Sequence, residues 1–183
     1  MNKRLKTAAG FLAVSVSASA AFAAEFTAES KDFASGKVAQ AQFAGIMGCT
    51  GKNVSPDISW SNAPEGTKSF VVTIYDKDAP TGSGWWHWVV ANIPASTTSL
   101  PAGAGTDASQ LPKGALMTPT DFGAPGYGGA CPPEGTEHDY TITVKALSID
   151  KLPVPDTATP ALIGFVSNMN TLAVATVSAK GSR

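Results

Sequence analysis

Ser69-Phe-Val-Val-Thr-Ile-Tyr75 is an almost unbroken run of β-branched and aromatic residues. A short apolar run of this composition predicts a strand buried on both faces. Trp85-Trp-His-Trp-Val-Val-Ala-Asn-Ile93 repeats the pattern and stops at Pro94. Tyr140-Thr-Ile-Thr-Val-Lys-Ala-Leu147 alternates instead, with Tyr140, Ile142, Val144 and Ala146 on one face. Its other face carries Thr141, Thr143 and Lys145, as expected of a half-exposed strand. Working outward, residues 171–179 predict a last strand, and residues 25–30, 37–43 and 57–60 give weaker strand signals. Thr159-Pro160 opens the single strong helix signal, with Leu162, Ile163, Val166 and Met169 at helical spacing up to residue 170. The expected fold is mainly β, a single domain over residues 24–183 with one helix near the C-terminus.

Composition narrows the function. The chain has 183 residues, 43% hydrophobic and only 15% charged, the opposite of a disordered balance. A net charge of −1 argues against a nucleic-acid partner, which calls for basic patches. Lys3, Arg4 and Lys6 precede an apolar, small-residue run, and Ala21-Phe22-Ala23 ends it with small residues. This pattern predicts a cleavable signal peptide over residues 1–23 and export, with the periplasm as the expected destination. The run is too short and too rich in Ala and Ser for a membrane span, so the mature chain is expected to carry none. That chain would keep one arginine, Arg183, and so no guanidinium cluster for gripping phosphate. Its two cysteines, Cys49 and Cys131, are most simply a disulfide in an oxidising compartment. The alternative is a metal or catalytic thiol, and no metal-ligand spacing supports it.

Three segments could carry chemistry. Asp76-Lys77-Asp78-Ala79-Pro80 follows directly on a strand, where acids also serve as turn formers. In Trp85-Trp86-His87-Trp88, strict alternation puts Trp85, His87 and Val89 on one face and Trp86, Trp88 and Val90 on the other. A lone histidine there is equally a core residue bonded to backbone. Gly126-Tyr-Gly-Gly-Ala-Cys-Pro-Pro133 lets backbone approach a ligand or turn sharply, and it lies at the end of a long irregular stretch, residues 101–133. The absence of a following Gly-Lys-Ser/Thr excludes a P-loop.

Taken together, Asp-x-Asp-Ala-Pro, Trp-His-Trp before a Val-rich strand, and Gly-Gly-x-Cys-Pro-Pro-x-Gly-x-x-His-x-Tyr resemble the phosphatidylethanolamine-binding protein family, in its bacterial Raf-kinase-inhibitor-like branch. Gly48-Cys49-Thr-Gly51, Ile58-Ser-Trp60, Pro64-Glu-Gly66 and Thr120-Asp121-Phe122-Gly123 extend the match along the chain. The resemblance implies a β-sandwich with a pocket at one end for a small anion, such as a phosphate or a phospholipid headgroup. Carried over, the pocket residues are Asp76, Asp78, Trp85, His87, Gly129, Pro132, His138 and Tyr140. In that reading Asp76 supports His87 and raises its pKa, and free N–H groups around Gly129 and Cys131 add donors. A Cys49–Cys131 bond would pin the pocket loop to the turn at residues 48–51. Lys77 departs from the family, which has proline between the two acids, and adds a cation beside the mouth.

The sequence thus favours a binding protein without cofactor or catalytic residues. A hydrolase built on His87 with Asp76 or Asp78 is the enzymatic alternative, and it lacks a nucleophile. A secreted inhibitor or interaction protein, contacting a macromolecule through residues 101–127, is the other. Convergence of His87, His138, Asp76 and Asp78 on a metal is a minor option that no spacing demands. The exposed face of the last strands is open to a homodimer contact, though no residue marks one.

Overall fold

A computed structural model describes residues 24–183. Residues 1–23, where the sequence predicts a signal peptide, lie outside the described residues. The large sheet has five strands, β3 (Ser69–Asp76), β4 (Trp85–Pro94), β6 (Leu116–Met117), β7 (Glu137–Leu147) and β8 (Thr171–Ser182), in the order β6-β4-β3-β7-β8. A small sheet pairs β1 (Thr27–Glu29), β2 (Ile58–Ser61) and β5 (Ser99–Leu100) in the order β1-β2-β5. All these strand pairings are antiparallel.

The strands lie where their sequences require burial. Central β3 has neighbours on both sides and is covered on both faces, so its continuous apolar run is the composition it needs. Phe70, Val72 and Ile74 face inward against Ile58, Trp60 and Leu100 of the small sheet, joined by Ile142 and Val144 of β7. Val71 faces the other way, with Val89, Ala91 and Leu147, under α1 (Pro160–Asn168). Helix α1 covers this second layer with Ile163 and Val166. The Thr159 side chain caps it by accepting from the Leu162 N–H at 3.2 Å, and Pro160 occupies the first turn. Two sheets and one helix thus make a mostly β molecule with a core on either side of β3. Among the described residues no helix is long and apolar enough to cross a membrane.

Residues 37–43 do not form the strand their sequence suggested. The segment makes single bridges, Lys37 to Lys180 and Phe43 to Ala130, around a 3-10 turn at Gln40–Gln42. It runs from β8 to the pocket loop and so has no one partner to follow. Strand β2 starts one residue later than expected. The Asp57 carboxylate accepts from the Lys31 and Asp32 N–H groups at 2.9 and 3.2 Å, which commits Asp57 to a turn.

Two irregularities interrupt β4. Ile74 pairs with Trp88 and Tyr75 with Trp86, so His87 is an extra residue on the β4 side. This bulge overturns strict alternation through the tryptophans. Trp88 and Val90 turn into the inner core, whereas Trp86 packs with Val89 and Ala91 on the helix side. A second bulge falls near Asn92, which has φ 56°. The Asn92 side chain then accepts from the buried Leu152 N–H at 2.8 Å.

Candidate functional site

The register puts Trp85, Asp76 and Tyr140 across one rung at the end of β4, β3 and β7. One residue beyond Trp86, the bulge presents His87 on the same side. His138, two residues before Tyr140, shares its face as strand periodicity requires. These five side chains line a cavity of about 200 Å³. Its far wall comes from the turn at Met47, from Phe122 and from the loop residues Gly129, Cys131 and Pro133. Ala79, Pro80 and Thr81 close the side next to Asp76.

Asp76 is buried and fully engaged. One carboxylate oxygen accepts from the Asp78 and Ala79 N–H groups at 2.9 and 3.1 Å. The other meets His138 Nδ1 at 2.7 Å. The Asp-x-Asp-Ala sequence is therefore an Asx turn whose acid also orients a histidine. This corrects the expectation that Asp76 supports His87. His87 is held by backbone, its Nδ1 lying 2.6 Å from the Gly128 carbonyl oxygen. A carbonyl only accepts, so Nδ1 carries the hydrogen. Burial pushes the His87 pKa down, against the smaller opposing pull of the Gly128 carbonyl and the Asp76 charge. The expected rise does not occur, because desolvation wins.

Three buried polar atoms on this cavity have no hydrogen-bond partner, namely Trp85 Nε1, His87 Nε2 and the Tyr140 hydroxyl. Burial, aided by the Asp76 charge, keeps the Tyr140 phenol protonated well above its ordinary range. Aromatic edges fix the three in place. The His87 ring meets Tyr140 at 5.2 Å and Phe122 at 5.6 Å, and Trp85 meets Phe122 at 5.3 Å, all edge to face. Asp121 anchors Phe122 to β4 by accepting from the Trp86 N–H at 2.8 Å.

Two expected pocket residues lie elsewhere. Strand β3 ends at Asp76, so Asp78 does not share the face that Asp76 presents to the cavity. Its carboxylate turns outward to Lys77 Nζ at 2.9 Å and the Asp139 N–H at 2.8 Å. Asp78 therefore does not join His87, His138 and Asp76, and that proposed metal set does not assemble. Lys77 also bridges Asp139 at 2.8 Å, which places the departure from the family pattern in a surface ion pair. Pro132 is buried behind the wall while Cys131 and Pro133 line it, as alternate residues of an extended loop would. The Gly129 N–H is not free for a ligand, because it donates to Asn53 Oδ1 at 2.7 Å. A Cβ at Gly129 would come within 2.4 Å of the Ala44 nitrogen, so the glycine is there for close backbone packing.

Cys49 and Cys131 form a disulfide across 82 residues. It ties the loop lining the cavity to the turn carrying Met47, whose φ is 55°. Phe122 and Met47 were missed as lining residues, whereas Pro133, which the resemblance implies as part of the apolar wall together with Pro132, does line the cavity. Phe122 lay in the Thr-Asp-Phe-Gly stretch already matched, and Met47 lies two residues before a disulfide cysteine.

The phosphatidylethanolamine-binding protein model matches residues 29–182. UPF0098 protein YbcL of Escherichia coli is 53% identical over 134 residues, 72% of this chain and 73% of that protein. UPF0098 protein YbhB of the same organism is 53% identical over 133 residues, 73% of this chain and 84% of that protein. Putative lipoprotein LppC of Mycobacterium tuberculosis is 35% identical over 134 residues, 73% of this chain and 60% of that protein. The crystal structure of E. coli YbcL superposes with a TM-score of 0.82 at 45% identity, covering 87% of this chain and 99% of that one. Two strongly similar relatives, a family match over nearly the whole described chain and a shared fold agree with the motifs that line the cavity: the chain belongs to the phosphatidylethanolamine-binding protein family.

Proposed function

We propose that the protein binds a small anionic ligand, a phosphate or a phosphorylated headgroup, in the His87–Tyr140 cavity. The observation that carries this reading is the set of three unpartnered buried polar atoms on one cavity. A buried polar group without a partner costs about 1–3 kcal/mol, and a ligand oxygen would relieve several at once. The volume, about 200 Å³, suits a phosphate-sized group with a short substituent. No lysine or arginine lines the cavity, so affinity for simple anions should be modest.

Binding without turnover is the reading for the chemistry. Among the lining residues, the Thr81 hydroxyl donates to the Gly84 carbonyl, the Tyr140 phenol is held protonated, and Cys131 is in the disulfide. None is an activated nucleophile. Export to the periplasm is part of the proposal. It rests on the N-terminal sequence pattern, on the disulfide, and on the lipoprotein name of the mycobacterial relative.

The test is an NMR titration of the protein with inorganic phosphate, phosphoethanolamine and a mononucleotide, following both histidines. Saturable shifts at His87 and Gly129, lost in His87→Ala, are expected. Flat histidine signals with all three ligands would overturn the anion reading and favour a macromolecular partner.

A further inference from the structure

The cavity's hydrogen-bonding inventory is unusual for an anion site. Trp85 Nε1 only donates, and the protonated Tyr140 phenol can donate. His87 Nε2 is different. Its ring already spends the Nδ1 hydrogen on the Gly128 carbonyl, so the neutral ring offers a lone pair at Nε2. The ring is 4% exposed, and the atom has no protein partner. Asp76 of β3, Tyr140 of β7, Asp121 of the Phe122 loop and the Gly128 and Gly129 backbone are the charged, titratable and polar groups around this ring. The two acids favour the charged ring, but burial outweighs them, and both carboxylates are engaged elsewhere, Asp76 with Asp78, Ala79 and His138 and Asp121 with the Trp86 N–H. A fully deprotonated oxyanion placed against Nε2 would set lone pair against lone pair. A protonated phosphate oxygen would not.

Resting on the anion-site reading above, we propose that the cavity recognises a phosphate monoester carrying one proton, held between the ligand oxygen and His87 Nε2. The bound state then contains one proton more than a free dianionic ester and the free protein. It is the same species whether the proton is written on the P–OH or on the ring, with Trp85 donating to a second oxygen. Sulfate esters have no such proton at any ordinary pH, and phosphodiesters have none either. Each could bind only by forcing a proton onto a buried imidazole. The site is therefore specific for a monoester phosphate such as a free phosphorylated headgroup, and it discriminates against an intact diester lipid. His138 differs from His87, because its Nδ1 faces the Asp76 carboxylate at 2.7 Å and not a backbone carbonyl.

The experiment is isothermal titration calorimetry of the protein with O-phosphoethanolamine, O-sulfoethanolamine and glycerophosphoethanolamine. At about pH 5.5 the first two carry the same phosphate- or sulfate-borne charge, because the second phosphate pKa is about 6. The phosphate ester should bind at least about tenfold more tightly, the worth of one hydrogen bond to a buried group. Above that pKa its affinity should fall about tenfold per pH unit, with uptake of one proton seen in buffers of different ionisation enthalpy. His87→Gln, whose amide can donate, should lose both the sulfate discrimination and the pH slope while keeping the circular dichroism spectrum. Equal binding of the phosphate and sulfate esters, or phosphate binding without proton uptake, overturns the proton rule and leaves the anion site standing. Full discrimination retained in His87→Gln overturns the assignment to His87. No binding of any ester overturns the anion reading itself.

Discussion

The two histidines of the cavity stand on the strands either side of β3 and have opposite fates. On the His138 side the buried acid is fully engaged. Asp76 accepts from two backbone N–H groups and from the ring, and each partner is buried or pinned by a turn. Around His87 the protein satisfies one ring nitrogen and leaves the other, together with an indole N–H and a phenol, without partners. The first arrangement is what a fold needs from a buried acid. The second lowers stability and has no structural return, which is why a ligand role is assigned to the His87 side. Overall burial is nearly equal for the two rings, 4% and 6% exposed, and each makes one hydrogen bond through Nδ1; the difference is the second nitrogen of His87, which is sealed from solvent without a partner.

Asp76→Ala breaks the His138 side and is expected to have the largest effect. It strands two backbone N–H groups and a buried ring, and breaking one partner of a buried pair costs about 3–5 kcal/mol. Urea unfolding measures the loss. A drop under about 1 kcal/mol would mean that the Asp76–His138 pair is as dispensable as the His87 side. The disulfide comes next. The 82-residue separation gives a loop-entropy limit of about 4.5 kcal/mol, and measured losses are commonly about 2–4 kcal/mol. Cys49→Ser with Cys131→Ser should lose stability in that range. Amide exchange should quicken first at Gly129 and Cys131 and leave β3 protected, because the bond holds the loop wall and not the strands.

How much of this contrast could be read from sequence depends on what each residue's neighbours are. Strand β3 and the alternating β7 were legible because their apolar patterns state their burial directly. The α1 start was legible because Thr159 and Pro160 act on the nearest turn. The bulge at His87 was not, because its cause is the pairing with Ile74 and Tyr75, far away in sequence. The same limit applies to Asp76. The resemblance set it beside His87, whereas the register of β7 against β3 sets it against His138. Asp78 was carried over from the family resemblance, and it lies off the cavity for a local reason, since the strand ends at Asp76 and the Asp78 carboxylate turns to Lys77 and the Asp139 N–H.

A smaller effect sharpens the comparison through pH. Burial holds the His87 pKa below the unfolded value of about 6.5. As pH falls below that value the unfolded chain takes up a proton that the folded chain refuses, so stability declines. The loss continues until pH reaches the folded pKa and is constant below it. Above about pH 6.5 both states are neutral at this site and no slope is expected from it. His87→Gln should remove this part of the acid slope while costing about 1 kcal/mol at neutral pH for the altered Gly128 contact. Urea midpoints between about pH 5 and 8 in the two proteins test it, and identical slopes would mean that His87 does not resist protonation.

Tyr140→Phe is expected to have the smallest effect, and the opposite sign. The phenol is buried, its hydroxyl has no hydrogen-bond partner, and its ring packs over Gly181, where a Cβ would come within 2.7 Å. Phenylalanine keeps that packing and the edge contact to His87, and removes only an unsatisfied oxygen. Replacing a buried polar atom that has no partner by an apolar one is neutral or stabilising, by up to about 1 kcal/mol. If the hydroxyl serves a ligand, the same change should weaken phosphoethanolamine binding severalfold in calorimetry. Gain in one measurement and loss in the other would mark Tyr140 as a residue kept for binding at the expense of the fold. A clear loss of stability would instead show that the phenol finds a structural partner, and the His87 side of the cavity would then be more like the His138 side than its hydrogen bonds indicate.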